Sequence, residues 1–155
     1  MGCETSQRNI PRPLFLLILL AADKGAPIIG RLKLEKLLFK VQKDLLDKNP
    51  MLPRYNFRPY KYGPYTEDAY DDLEALKELD LAKEKDSVFE ITQKGIDLLE
   101  ELEKKGVLDK DLIEKIEDIK RKYNKLDTDQ LLTIIYSEYP DYATRSEIRE
   151  LLKRR

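Results

Sequence analysis

Residues 54–62 alternate basic and aromatic side chains, and this spacing suits recognition chemistry. The segment reads RYNFRPYKY, with three cations among four aromatic rings. Proteins that bind single-stranded nucleic acid typically stack the bases on aromatic side chains and contact the phosphate backbone with cationic side chains. Tyr and Arg are also common anchors of protein interfaces. Alternation is equally the pattern of a half-buried extended segment whose rings seal the edge of a core. We favour this structural interpretation over single-strand binding.

The residue composition excludes most familiar catalytic and metal chemistry. The chain of 155 residues has no His, and its one Cys is Cys3. It therefore lacks imidazole as a base or metal ligand, and it lacks the cysteines of a zinc cage or an intrachain disulfide. The carboxylates follow spacings typical of solvated helix faces, and the glycines form neither a dinucleotide-binding motif nor a P-loop. We expect no enzymatic activity, no cofactor and no metal.

Charge is balanced over the whole chain but divided between two adjoining segments. Lys and Arg number 29 and Asp and Glu number 30, so there is no overall attraction to nucleic acid. Residues 31–62 carry nine Lys and Arg against three Asp and Glu, a net charge of +6. Residues 63–80 carry one Lys against seven Asp and Glu, a net charge of −6. The two segments meet at Tyr62-Gly63-Pro64-Tyr65, where we expect the functional surface.

The elements that position these residues begin with an apolar run. Residues 14–22 (LFLLILLAA) are all apolar, which suits a secretory signal core but is far shorter than the ~20 residues of a membrane span. A buried first helix that ends at Asp23-Lys24-Gly25 is the favoured interpretation. Residues 1–6 fit a myristoylation pattern, which matches easily by chance. We expect a cytoplasmic protein without membrane association, with a flexible segment over residues 1–13.

A long helix is predicted from Gly30 to about Lys48. Its apolar residues form two separated stripes, which is typical of a middle helix that packs on two sides. The remaining arc carries a stripe of lysines: Lys33, Lys36, Lys40 and Lys43. We expect this stripe to give electrostatic guidance to a partner. Prolines then predict loop or extended chain over residues 50–65.

The middle of the chain has the pattern of a winged helix. Thr66 is the predicted N-cap of a helix to about Leu79, with carboxylates in its first turn. Residues 81–85 and 88–91 are strand candidates on either side of a hairpin turn. Thr92 is the predicted cap of another helix. Three helices followed by a hairpin and a helix predict a mainly α (α+β) fold that is winged-helix-like.

We expect this winged-helix-like domain to span residues 14–105 and to carry a helical extension over residues 106–155. Apolar spacing predicts one extension helix over residues 108–123. A second is predicted over residues 127–139, where it ends before a proline. A last short helix is predicted from Ser146 to Leu152. The extension is expected to pack on the domain or to form a dimer interface.

The acidic third helix bears on nucleic-acid binding. In a winged helix the third helix normally enters the major groove, where carboxylates are repelled by phosphates. Duplex DNA binding in the standard orientation is therefore disfavoured. A reversed orientation would have to rely on the lysine stripe and on three further cations: Arg54, Arg58 and Lys61.

Three segments of the chain resemble a known family. They are GRLKLEKLLF from Gly30, YGPY from Tyr62 and FEITQKG from Phe89. Together they resemble the YwgA-like proteins and, more remotely, the Panacea domain of SocA-like antitoxins, over roughly residues 14–105. The resemblance implies a small prokaryotic, non-enzymatic module, since Panacea relatives neutralise toxins by direct binding. The chain departs from the antitoxin pattern in having no Trp before Gly63 and no His.

These observations predict a non-enzymatic regulatory binding module with a protein partner. The resemblance implies a toxin–antitoxin or phage-defence setting, in which that partner is a toxin or a regulatory protein. The alternative is a winged-helix DNA-binding transcriptional regulator, and a homodimer is compatible with either. Gly63 and Pro64 are expected to shape the turn. The side chains expected to contact or guide the partner are Arg58, Tyr60, Tyr62, Tyr65, Lys33, Lys36 and Lys40.

Overall fold

A computed structural model describes residues 10–60 and 63–143. The chain is mainly helical with a small antiparallel sheet, as predicted. The helices are α1 (Pro13–Gly25), α2 (Arg31–Asp44), α3 (Glu67–Glu78), α4 (Gln93–Lys104), α5 (Lys110–Tyr123) and α6 (Thr128–Glu138). The strands are β1 (Ile28–Ile29), β2 (Arg58–Tyr60), β3 (Gly63–Tyr65), β4 (Ala82–Lys85) and β5 (Val88–Ile91). Short 3-10 turns follow at Leu46–Lys48 and Pro140–Tyr142.

Helix boundaries follow the capping signals in the sequence. The Thr66 side chain accepts a hydrogen bond from the backbone N–H of Asp68, and the Thr92 side chain accepts one from that of Gly95. Both predicted caps are thereby confirmed. Helix α2 ends at Asp44, earlier than predicted, and continues as a 3-10 turn. The predicted helix from Ser146 lies outside the described residues.

Helix α1 is a central element of the core. Every residue from Leu14 to Leu20 is buried. Helical geometry breaks at Ala22, and the next two residues have φ values of 55° and 57°, in the left-handed region that ends helices. The predicted buried helix and its end are confirmed. Within residues 10–60 and 63–143, no helix is long and apolar enough to cross a membrane.

Strands β1, β5 and β4 form an antiparallel sheet in that order. The β4–β5 hairpin is the predicted one, with Ala82 opposite Ile91. Its turn residues Asp86 and Ser87 have φ values of 52° and 62°, as a tight two-residue hairpin turn requires. Strand β1 was not predicted, because two residues are too few to show a periodic pattern.

A second antiparallel hairpin lies in the segment predicted as loop or extended chain. Strands β2 and β3 pair with Arg58 opposite Tyr65 and Pro59 opposite Pro64. A proline in each strand hides the pairing from sequence patterns, because proline is unfavourable in sheets. Residues 61 and 62, which connect the strands, lie outside the described residues.

Helices α5 and α6 share one hydrophobic core with the preceding elements. Helix α5 packs on α1 and α2, and α6 packs on α2 and β3. The side chain of Lys120 in α5 is fully buried and donates a 2.8 Å hydrogen bond to the carbonyl of Leu20. This carbonyl belongs to the last regular turn of α1, where helical partners run out. The described part of the extension therefore completes the core.

Contacts also fix the residues just before α1. Ile10 is buried, and the Arg12 guanidinium donates two hydrogen bonds of 2.9 and 3.0 Å to Asp72 in α3. Asp68 lies 3.2 Å from the same guanidinium, and the Tyr55 ring lies 5.0 Å from it. These contacts tie residues 10–13 to α3, within the segment expected to be flexible. Residues 1–9 lie outside the described residues.

Candidate functional site

Tyrosines and arginines form a continuous surface where the β2–β3 hairpin meets the beginnings of α2 and α3. Tyr60 and Tyr65 come from the paired strands, and their ring centroids are 5.0 Å apart. The ring of Tyr70 in α3 continues the row at 6.1 Å from Tyr65. The Arg58 guanidinium lies 5.3 Å from the Tyr65 ring, and that of Arg31 lies 5.5 Å from the Tyr70 ring. These five residues are called the tyrosine–arginine surface.

The tyrosine–arginine surface is accessible and is suited to binding. Tyr60 is 52% exposed, both arginines are exposed, and Tyr65 and Tyr70 are half-buried. Burial, reinforced by the nearby Glu35 carboxylate, raises the pKa of Tyr70 to about 12. This phenol is therefore protonated at neutral pH. The arrangement offers ring faces, hydroxyl groups and guanidinium groups to a partner.

Carboxylates border the same surface. Arg58 lies 3.7 Å from Glu67, and Arg31 lies 3.3 Å from Glu84. Asp71 lines an open recess together with Arg31, Glu67 and two of the tyrosines. The Arg58–Glu67 pair is exposed on both sides, and ion pairs of this kind contribute only about 0–1 kcal/mol. Arg58 can therefore exchange Glu67 for a group on a partner at little cost, whereas Glu84 is mostly buried and also pairs with Lys77.

A buried ion pair holds strand β3 beneath the surface. The ammonium of Lys36 donates to Glu35 Oε1 at 2.8 Å and to the carbonyl of Pro64 at 2.9 Å. The other oxygen of Glu35 accepts the backbone N–H of Thr66 at 3.1 Å. Glu35 and Lys36 are only 2% and 1% exposed. Two side chains of α2 thus fix the backbone on both sides of Tyr65.

Gly63 lets strand β3 approach the C-terminal helices closely. Its φ is +93°, and a Cβ at this position would lie 2.6 Å from Leu132 Cδ2 and 3.2 Å from the Tyr136 hydroxyl. Both neighbours belong to α6. The strand is therefore held between α6 and the buried ion pair of α2, and only glycine fits there.

The lysine stripe of α2 is not a solvated face, which corrects its expected role in guiding a partner. Lys36 and Lys40 are buried, and the half-buried Lys33 donates to the Asn124 carbonyl at 3.1 Å. Lys40 donates to Glu138 at 2.7 Å. The stripe is covered because β3 and the C-terminal helices pack over it and supply carboxylate and carbonyl partners.

The environment of Lys40 keeps this buried lysine charged. Burial lowers its pKa, but the hydrogen bond to Glu138 and the charge of Asp44 outweigh that effect, so the pKa lies above its ordinary value. The ammonium also lies 5.1 Å from the Tyr123 ring centroid. Lys40 is therefore an internal link between α2, α5 and α6.

The structure brings together three of the predicted contact residues: Arg58, Tyr60 and Tyr65. Gly63 and Pro64 are buried, so they shape the hairpin without reaching a partner. Tyr62 lies outside the described residues. The acidic stripe of α3 is exposed, as its helical spacing indicated: Glu67, Asp71, Glu74 and Glu78. Its first two members border the surface.

Sequence reasoning missed two members of the surface and the pair beneath it. Tyr70 belongs to the run of five tyrosines between Tyr55 and Tyr70, which was the available signal for it. Arg31 stands in the α2 segment that carries the family resemblance, but its position over Tyr70 depends on tertiary packing. Glu35 gives no sequence signal of burial, since most glutamates are exposed.

No family model, curated protein or solved structure gives a significant match to the chain. The likeness to YwgA-like proteins and Panacea domains therefore stays a prediction. Among the residues that the structure describes, no cluster of three or more His, Cys, Asp or Glu is placed to hold a metal ion. The tyrosine–arginine surface is accordingly the feature of the described residues that points most directly to a function.

Proposed function

We propose that the chain is a non-enzymatic regulatory binding module that binds a protein partner through the tyrosine–arginine surface. The observation that carries this proposal is the row of three rings, Tyr60, Tyr65 and Tyr70, with guanidinium groups over two of them. Tyr and Arg dominate the energetic centres of protein interfaces. Tyr offers a large, rigid contact area with a polar tip and loses little conformational entropy on binding.

Buried hydrogen bonds hold the tyrosine–arginine surface from beneath, and this rigidity favours tight binding. The backbone around Tyr65 is fixed by two buried hydrogen bonds, one to Lys36 and one to Glu35, and a third joins these two side chains. Hydrogen bonds to charged groups contribute about 1.5–3 kcal/mol each, so the strand does not shift easily. A surface that is ordered before the partner arrives loses less entropy on association.

Charges of both signs around the rings favour a protein partner over duplex DNA. Arg31 and Arg58 alternate with Glu67 and Asp71, and the exposed face of α3 adds further carboxylates. A polyanion at this surface would be repelled by them, whereas a protein can match both signs. The buried lysines of α2 are not available to phosphates. DNA binding is the alternative that the experiment must separate.

Strand order supports a winged-helix-like assignment for residues 14–105. Strand β1 follows α1, the β4–β5 hairpin follows α3, and the sheet runs β1-β5-β4, which is the connectivity of a winged helix. The β2–β3 hairpin is then an insertion between the second and third helices. The resemblance to Panacea domains suggests a toxin–antitoxin or phage-defence setting, in which the partner is a toxin or a regulatory protein.

Site-specific cross-linking in the source organism tests this proposal. A photoreactive phenylalanine analogue is placed at Tyr60 or, as a control, at Glu101, which is 63% exposed on α4. A discrete protein adduct from position 60 and none from position 101 is the expected result. Random-sequence duplex DNA is titrated in parallel at ~50 mM salt. DNA binding that Arg58→Glu weakens, without a protein adduct, would overturn the proposal in favour of a DNA-binding regulator.

A further inference from the structure

A second concave surface lies between α1, α4 and α5. It is an apolar groove of about 280 Å³, lined by Ile18, Ala21, Ala22, Ile96, Leu99 and Ile113. None of these residues belongs to the tyrosine–arginine surface, so the groove is a separate feature. Its volume lies just below the ~300–1,000 Å³ of small-molecule sites, which suits one or two apolar side chains.

Small side chains on α1 leave this space open. Ala21 and Ala22 form the α1 wall, opposite Leu99 of α4 and Ile113 of α5. Ala21, Ile96 and Ile113 stay partly exposed, although core positions between three helices are normally filled. Apolar side chains that face water in a concave patch with a polar rim are typical of an interaction site.

The rim of the groove is acidic, with four glutamates: Glu100, Glu103, Glu114 and Glu117. Glu117 already has partners, since it lies 3.5 Å from Arg121 and accepts the backbone N–H of Asp23. The other three form no ion pair within residues 10–60 and 63–143. The groove therefore presents uncompensated negative charge on both α4 and α5.

We propose that this groove docks a basic amphipathic helix from a protein partner. One apolar side chain of that helix enters the groove beside Ala21, and flanking Lys or Arg side chains pair with Glu103 and Glu114. Amphipathic helices bind grooves in this way through apolar anchors on one face. The rim carboxylates set the orientation of the helix and accelerate its association.

The test uses the full chain and a fluorescein-labelled synthetic helical peptide. Its leucines recur at i, i+4 and i+7, with lysines and alanines elsewhere, and binding is followed by fluorescence anisotropy. Ala21→Phe fills the groove without changing charge and is expected to raise Kd about ten-fold or more. The double variant Glu103→Lys/Glu114→Lys removes the rim charge and is expected to do the same.

The double variant Glu101→Lys/Asp111→Lys is the matched control. It makes the same charge change on the same two helices, at exposed positions outside the groove, and should leave Kd nearly unchanged. The proposal is overturned if wild type does not bind the peptide, if the groove and rim variants bind it normally, or if the control loses as much affinity. A wild-type dimer that Ala21→Phe converts to a monomer would assign the groove to a second copy instead.

Discussion

Lys36 donates a 2.9 Å hydrogen bond to the carbonyl of Pro64 and so joins α2 directly to strand β3. Its neighbour Glu35 binds the N–H of Thr66. The GRLKLEKLLF and YGPY segments, which carry the family resemblance, are therefore in contact. Their joint effect is to position Tyr65 in the tyrosine–arginine surface, so the buried pair links the packing of the core to the proposed binding function.

Removing Lys36 is expected to destabilise the protein strongly. Lys36→Met leaves the Glu35 carboxylate buried without its counter-ion, which costs about 3–5 kcal/mol in free energy of unfolding. Urea denaturation at pH 7 measures the change. Lys83→Met, at an exposed position, is the control and should stay within about 0.5 kcal/mol of wild type. If Lys36→Met loses no more free energy of unfolding than Lys83→Met does, the stabilising role of the buried ion pair is contradicted.

Gly63 and Gly30 allow a clean separation of steric clash from backbone strain. Their φ values are +93° and +95°, yet a Cβ at Gly63 would strike Leu132 whereas one at Gly30 has open space. Both Gly→Ala variants incur a backbone penalty, because alanine disfavours a positive φ. Gly63→Ala is expected to lose about 1–3 kcal/mol more from overpacking. Thermal or urea denaturation of the two variants checks this, and equal losses would show that α6 does not confine the strand.

The burial of Lys120 leads us to expect that the stability of the protein depends on pH. Burial lowers its pKa to about 8, against the opposing charges of Asp23 and Glu117. An unfolded lysine titrates near 10.4, so between these values the unfolded chain binds more protons. The free energy of unfolding therefore rises with pH from about 8 to 10, by at most ~1.4 kcal/mol per pH unit from this group.

The measurement for Lys120 is the difference in free energy of unfolding between wild type and Lys120→Met at several pH values. The subtraction removes the contributions of other titrating groups, and the absence of His keeps the neutral range free of imidazole titration. The free energy of unfolding of wild type, relative to that of Lys120→Met, should increase as pH rises. A difference that is flat or moves the other way would show that burial does not lower the pKa of Lys120 in the folded protein.

Sequence patterns among neighbouring residues predicted much of the fold, but they could not predict contacts between residues that are far apart in the chain. The caps at Thr66 and Thr92 and the β4–β5 hairpin follow from neighbouring residues and were predicted. The burial of Lys40 depends on Glu138, which lies 98 residues away in the chain. A lysine on a helical wheel is ordinarily assigned to solvent, so the covered stripe could not be foreseen from α2 alone.

The candidate site was likewise predictable only where its residues are neighbours in the sequence. Arg58, Tyr60 and Tyr65 were selected because basic and aromatic residues alternate in one segment of the chain. Tyr70 and Arg31 join them only because α2 and α3 begin beside the hairpin. Their contribution depends on how the two helices pack and not on any local pattern.

The most direct test of the central claim is a calorimetric titration of the purified cross-linking partner into wild type, Tyr60→Ala and the control Glu101→Ala. Tyr60→Ala is expected to raise Kd about ten-fold or more with only a small change in melting temperature, because Tyr60 is 52% exposed. Glu101→Ala should bind as wild type does. Equal affinities for wild type and Tyr60→Ala would contradict the assignment of function to the tyrosine–arginine surface.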